Sequence, residues 1–126
     1  MIYLMWDEGH AQCMVWQLSL ILNSMGEALP EAVCRVANIE STAGVIGIAG
    51  EYASISSLIT CIGNLDPNGQ FLSGNMSFFD GEKKIEIDFH DTTCFLISSN
   101  LKKIEGQLTL QLSNIKNVKV SFYPAE

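Results

Sequence analysis

Positive charge is scarce in this sequence. Seven lysine and arginine residues stand against fourteen aspartate and glutamate residues, and Arg35 is the single arginine. Phosphate backbones are bound by clustered Lys and Arg. A net charge of −7 without a basic stripe therefore excludes nucleic acid as a partner. The same shortage argues against an anionic membrane surface. The deficit is uneven. Residues 1–81 hold eight acidic residues against Arg35 alone, whereas residues 82–126 hold six of each sign. A basic protein remains a compatible partner, although most of such charge simply keeps a surface solvated.

Long apolar runs are missing too. Ala11 to Leu22, the longest, contains Gln12, Gln17 and Ser19 and is too short to span a bilayer. No basic n-region precedes the first apolar residues, so we expect no secretory leader and a cytoplasmic protein. Its four cysteines are then expected to be reduced thiols. Charged residues reach only 17% and hydrophobic ones 48%, which excludes a disordered chain. There is no internal repeat, linker or low-complexity segment, and 126 residues suit a single domain spanning 1–126.

Several chemical motifs are absent. Gly44, Gly47 and Gly50 sit before an apolar run, as in a phosphate-binding turn. No Lys-Ser or Lys-Thr follows them, Glu51 would repel phosphate, and the dinucleotide spacing is wrong. His10 and Cys13, with His90 and Cys94, are of the right types for zinc, but there is no Cys-x-x-Cys knuckle. We therefore expect no metal and no cofactor. With a two-residue turn at Asp91-Thr92, His90 would face Thr93 and Phe89 would face Cys94, which separates the histidine from the thiol. No nucleophile elbow or distinctive carboxylate pair stands out.

What is present is patterning. The first 30 residues read as helical, with Asp7 as cap, Gly26 as terminator and Ala11, Met14, Val15, Leu18, Leu22 and Met25 on one side. Pro30 to Asn38 fits either a short helix begun by Pro30 or a strand; the strand, at about Val33–Glu40, is favoured, turning at Ser41–Gly44 into a second strand over Val45–Ala49. Tyr52, Ile55, Leu58, Ile59 and Ile62 form a second helical stripe, closed by Gly63-Asn64. After the Asp66–Gly69 turn the period becomes two. Strands are expected at 71–79, 83–90, 94–99, 106–113 and 117–123, with Asp80-Gly81 as a hairpin turn. One face would carry Ile85, Ile87, Phe89, Leu108, Leu110, Leu112, Val118, Val120 and Phe122. The expected architecture is α+β: an antiparallel sheet of about five to seven strands with two helices covering one face.

Function then falls to the polar face of the sheet. Glu86, Asp88, His90 and Tyr123 are the candidate binding residues, alongside Lys84, Thr109, Gln111, Lys119 and Ser121. Asp88 and His90 lie two apart on one strand and so share a side. We expect a small regulatory protein that works by protein–protein interaction, of the kind an inhibitor or immunity protein performs, without catalysis of its own. The alternative is a small-molecule-binding protein or small enzyme using that face as a concave site. A mean hydropathy of +0.22 is high for a small monomer. Cys13, Trp16 and Leu20 form a second, narrower stripe on the first helix, so we also expect a homodimer built partly through them.

Overall fold

The computed structural model describes residues 1–7, 9–44, 51–90 and 92–122, with Asn38 and His90 by backbone alone. Ten elements follow one another: β1 (Ile2–Trp6), α1 (Val15–Ala28), β2 (Val33–Ser41), β3 (Tyr52–Ser54), α2 (Ile55–Gly63), β4 (Phe71–Asp80), β5 (Lys83–His90), β6 (Cys94–Ser99), α3 (Lys102–Leu112) and β7 (Val118–Phe122). The seven strands form one sheet in the order β3-β2-β4-β5-β6-β1-β7, and every neighbouring pair is antiparallel. The fold is thus α+β with an antiparallel sheet. The expected strand over Val45–Ala49, together with Gly47 and Gly50, lies outside the described residues.

Several expectations are corrected. The first 30 residues are not one helix, because Ile2–Trp6 is a strand paired on both sides, to β6 and to β7. Asp7 follows that strand, and the helix starts eight residues later. Gly26 does not terminate α1 but lies inside it, where a side chain would crowd the Ile59 Cδ1 of α2 at 3.1 Å. Residues 106–113 are not a strand: 106–112 belong to α3 and Ser113 is its C-cap. On that helix Ile104, Leu108 and Leu112 recur every four residues and are buried, whereas Leu110 is 75% exposed. Among the described residues there are consequently three helices, not two. Tyr52 opens β3 and is not part of the α2 stripe, which is Ile55, Leu58 and Ile62.

Local chemistry fixes the boundaries. Ser54 caps α2, its hydroxyl accepting from the Ser57 N–H at 3.1 Å. Gly81 takes φ +61 in the two-residue turn that pairs Asp80 with Lys83. Gly74 takes φ +148 where β2 bulges between Ala37 and Glu40, and a Cβ there would run into the Ile39 side chain. The connection before α1 is held by glutamines. The fully buried Gln17 accepts from the Met14 N–H at 3.0 Å and donates to the Ala11 carbonyl at 2.6 Å. Gln12 brackets the Trp6 backbone, accepting from its N–H at 3.0 Å and donating to its carbonyl at 3.3 Å. A buried polar side chain is tolerated when it closes hydrogen bonds in this way.

Alternate residues of the strands, among them Ile2, Leu4, Val36, Phe78, Ile85, Ile87 and Ile97, pack in one core with the buried stripes of α1, α2 and α3. Aromatic rings run through it. Phe71 lies 4.7 Å from Phe89, Phe89 5.5 Å from Phe95, and Phe95 6.3 Å from Trp6. Glu105 is 5% exposed, and its charge is met by the Met1 ammonium at 3.2 Å and the Ser99 N–H at 3.0 Å. The sheet ends at β7, where Val118 and Val120 are only half-buried and Phe122 is 47% exposed, contrary to the fully buried face expected for them.

Candidate functional site

The other alternate positions form a second set of rows across the sheet. Register fixes them. Tyr52, Arg35, Ser77, Glu86 and Ser98 stand side by side on β3, β2, β4, β5 and β6. The next row is Ala37, Asn75, Asp88, Leu96, Tyr3 and Ser121. Val33, Phe79 and Lys84 make the row on the other side. None of these residues is buried, and Tyr52 is 63% exposed.

The rows are tied by specific contacts. The Asn75 Nδ2 donates to the Asp88 carboxylate at 2.7 Å, and the Ser77 hydroxyl donates to the Asn75 Oδ1 at 3.3 Å. Lys84 pairs with Glu86 at 3.3 Å while its Nζ lies 5.8 Å from the centre of the Phe79 ring. The Arg35 guanidinium lies 5.9 Å from the Tyr52 ring centre, and the Tyr52 and Phe79 rings are 6.2 Å apart. Cation–π contacts at exposed sites are worth about 0.5–1 kcal/mol each, enough to bias rotamers. The result is an exposed patch of one tyrosine, one phenylalanine and the chain's single arginine, beside a strip of carboxylates and amides.

Glu86 and Asp88 therefore lie in these rows. His90 continues β5, where its backbone stands opposite Cys94, and Tyr123 lies outside the described residues. The expected register at the β5–β6 turn is corrected by one position. Residues 91–93 connect the strands, so Phe89 pairs with Phe95 and His90 with Cys94. Thr109 and Gln111 leave the candidate face altogether. They lie on α3, where the Gln111 amide donates to Glu27 at 3.0 Å. Lys119 and Ser121 stand opposite Met5 and Tyr3. Of the expected second stripe on the first helix, Cys13 does not belong to the helix: it precedes α1 and is fully buried within the chain. Trp16 is half-buried, 5.7 Å from Trp6 and 5.9 Å from the His10 ring, and Leu20 is 39% exposed. Residues 6 and 10 thus cover part of the second stripe.

Arg35, Tyr52 and Phe79 were not among the candidates from sequence. A signal for Arg35 was present: a charged residue at the outward position of an alternating strand, Val33-Cys34-Arg35-Val36. Tyr52 was hidden because its spacing from Ile55 and Ile59 matches a helix.

Chemically, two of the four thiols are quiet. Burial pushes the Cys13 thiol up to about 12, helped by Cys94 nearby. Burial pushes Cys34 up to about 11, partly offset by hydrogen bonding with the backbone at Ala53 and Cys34. Both stay protonated at neutral pH, and a thiol is a poor nucleophile compared with a thiolate. Among the described residues no three His, Cys, Asp or Glu side chains converge to hold a metal ion. An open cavity of about 280 Å3 at the edge of the rows is lined by Lys84, Glu86, Ser98, Ser99 and Asn100, and Asp88 is not in its wall. No family model matches the chain, and neither curated proteins nor solved structures give a match. Among the described residues no helix is long and apolar enough to cross a membrane.

Proposed function

We propose that this chain is a small regulatory or inhibitory protein that acts by binding another protein through the open rows of its sheet. The observation that carries this reading is the patch of Tyr52, Arg35, Val33 and Phe79 in adjacent register positions, with Tyr52 63% and Val33 42% exposed. Tyrosine and arginine are enriched among residues that dominate binding energy, because each offers wide contact area with a polar end. The patch is flanked by Glu86 and Asp88, which supply polar specificity at the rim. Asp88 is better suited to this than to acid–base chemistry, since its carboxylate is held by the Asn75 amide. The test compares tagged wild type, Tyr52→Ser and Arg35→Glu by quantitative affinity capture from native lysate, with Leu110→Ser on α3 as a control. Proteins retained by wild type and the control but lost from both patch variants support the reading. Equal recovery by all four overturns it.

A further inference from the structure

We infer that the open rows bind a second copy of this chain, sheet against sheet, about a two-fold axis running along β4. This rests on the reading of those rows as a protein-binding surface and names its partner. In an arrangement with that axis, any residue on one side of β4 meets the residue of the second copy that lies equally far on the other side and in the same row. Arg35 on β2 and Glu86 on β5 are such a pair, because both stand opposite Ser77 of β4. Arg35 would meet Glu86 of the second copy, and Glu86 would meet Arg35 of the second copy, giving two reciprocal ion pairs from one operation.

Most of the remaining positions agree in chemistry; Asp88, set against Ala37 of the second copy, gains no partner there and keeps its hydrogen bond to Asn75. Val33 meets Lys84 of the second copy, and a lysine stem covers apolar surface while its ammonium stays wet. Tyr52 on β3 meets Ser98, since β3 and β6 are each two strands from β4. Phe79, Ser77 and Asn75 lie on the axis and meet their own copies, a ring against a ring and two groups that both donate and accept. No like charges face each other in these rows. Packed sheets cross at about 30°, so the match degrades towards the edges, where only long side chains need to reach. Five strands spaced at about 4.8 Å, from about 10 Å long for β3 to about 33 Å for β4, offer on the order of 500 Å2 per copy. The sum of about 1,000 Å2 reaches what a specific interface needs. A chain with net charge −7 would repel a copy of itself at most surfaces, and these rows carry Arg35 and Lys84 beside Glu86 and Asp88.

Sedimentation at high micromolar concentration tests the arrangement. Wild type should sediment at twice the 13.8 kDa chain mass. Arg35→Glu and Glu86→Arg should each weaken association by about tenfold or more, and the double variant, with both charges exchanged, should regain it. Thermal melts of the same samples verify folding. Should a single variant fail to fold, Ser77→Cys serves instead. It lies on the axis, so a short bis-maleimide should link two such chains and not two wild-type chains. Three results would overturn the inference: a monomeric wild type, a dimer indifferent to both charge reversals, or a dimer dissociated by Leu20→Glu and left unlinked at Ser77→Cys. A monomeric wild type that still captures a protein through Tyr52 rejects the second copy and leaves the protein-binding reading intact. A monomer whose capture ignores Tyr52 removes both.

Discussion

Strand β5 carries two environments on one backbone. Ile85, Ile87 and Phe89 are 1%, 0% and 4% exposed and belong to the core. Lys84, Glu86 and Asp88 alternate with them in rows that reach solvent. Side chains on the first set are constrained by volume, since interiors pack like crystals. Those on the second are held by a few contacts within the rows, such as Asp88 to Asn75 and Lys84 to Glu86, and otherwise by what they meet outside the chain. Stability and binding should therefore be separable residue by residue along this strand, and the sharpest experiments set neighbours against each other.

The largest effect belongs to the buried side. Phe95 is fully buried between Phe89 and Trp6, and Phe95→Ala should cost about 3–5 kcal/mol in urea unfolding. Its neighbour Leu96 lies in the open rows, half-buried, and Leu96→Ala should cost much less. Similar losses from the two variants would mean that the rows are not distinct.

Burial, not polarity, sets the penalty. Gln17 is polar yet 0% exposed, and both ends of its amide are bonded to backbone. Gln17→Leu keeps the bulk but leaves the Met14 N–H and Ala11 carbonyl without partners, so it should cost about 1–3 kcal/mol by the same measurement. A neutral result would show that the residue 11–14 connection finds other partners.

A pH effect of intermediate size should arise from the same burial. The Cys13 and Cys34 thiols rise from an ordinary value of 9.0 to about 12 and about 11 in the native chain. As pH increases beyond about 9, the unfolded chain releases these protons while the native chain keeps them. Their contribution is therefore complete below pH 9 and is lost progressively up to about pH 11–12. Thermal melts from pH 7 to 11 should show a falling midpoint, with a shallower fall in the Cys13→Ala, Cys34→Ala double variant. An identical slope in that variant would assign the alkaline loss to other groups.

How much of this was legible depended on the polar positions. Strands β2, β4, β5 and β6 and helix α2 follow from alternation or stripe, because outward residues such as Arg35, Asn75, Glu86 and Ser98 are polar. β1 was not legible, since its outward residues are aromatic Tyr3 and apolar Met5, so no strongly polar residue marks the outward side. α3 was misread because Gln107–Leu112 alternates by coincidence, while the decisive spacing of Ile104, Leu108 and Leu112 lies underneath. Its richness in Lys, Gln, Leu and Glu, with few β-branched residues, was the better guide. The candidate site was half legible. Glu86 and Asp88 follow from one strand, but their neighbours Arg35, Ser77 and Asn75 depend on a sheet order that is not the chain order. Register at the β5–β6 turn depends on whether two or three residues connect the strands, which sequence alone leaves open.

The smallest effect on stability is expected at the most exposed aromatic residue of the rows. Tyr52 occupies the three-residue edge strand β3, at 63% exposure, touching Arg35 and Phe79. Tyr52→Ser removes one weak cation–π contact and one ring contact from the folded chain, and both are screened by water. The substitution also relieves the fold of an exposed aromatic ring, so the net change in unfolding free energy should stay within about 0.5 kcal/mol. Binding responds differently. A large side chain whose bulk faces outward contributes little until something covers it, and then its whole area leaves water. Chemical unfolding and association should therefore diverge at this one residue, with stability unchanged and self-association or capture weakened. Asp88→Ala, which also breaks a hydrogen bond of 2.7 Å to Asn75, should lie between the two rows, at about 0.5–1.5 kcal/mol. If Tyr52→Ser destabilised the chain more than Asp88→Ala, the patch around Tyr52 would be holding the sheet edge together, and its exposure would have no bearing on a partner.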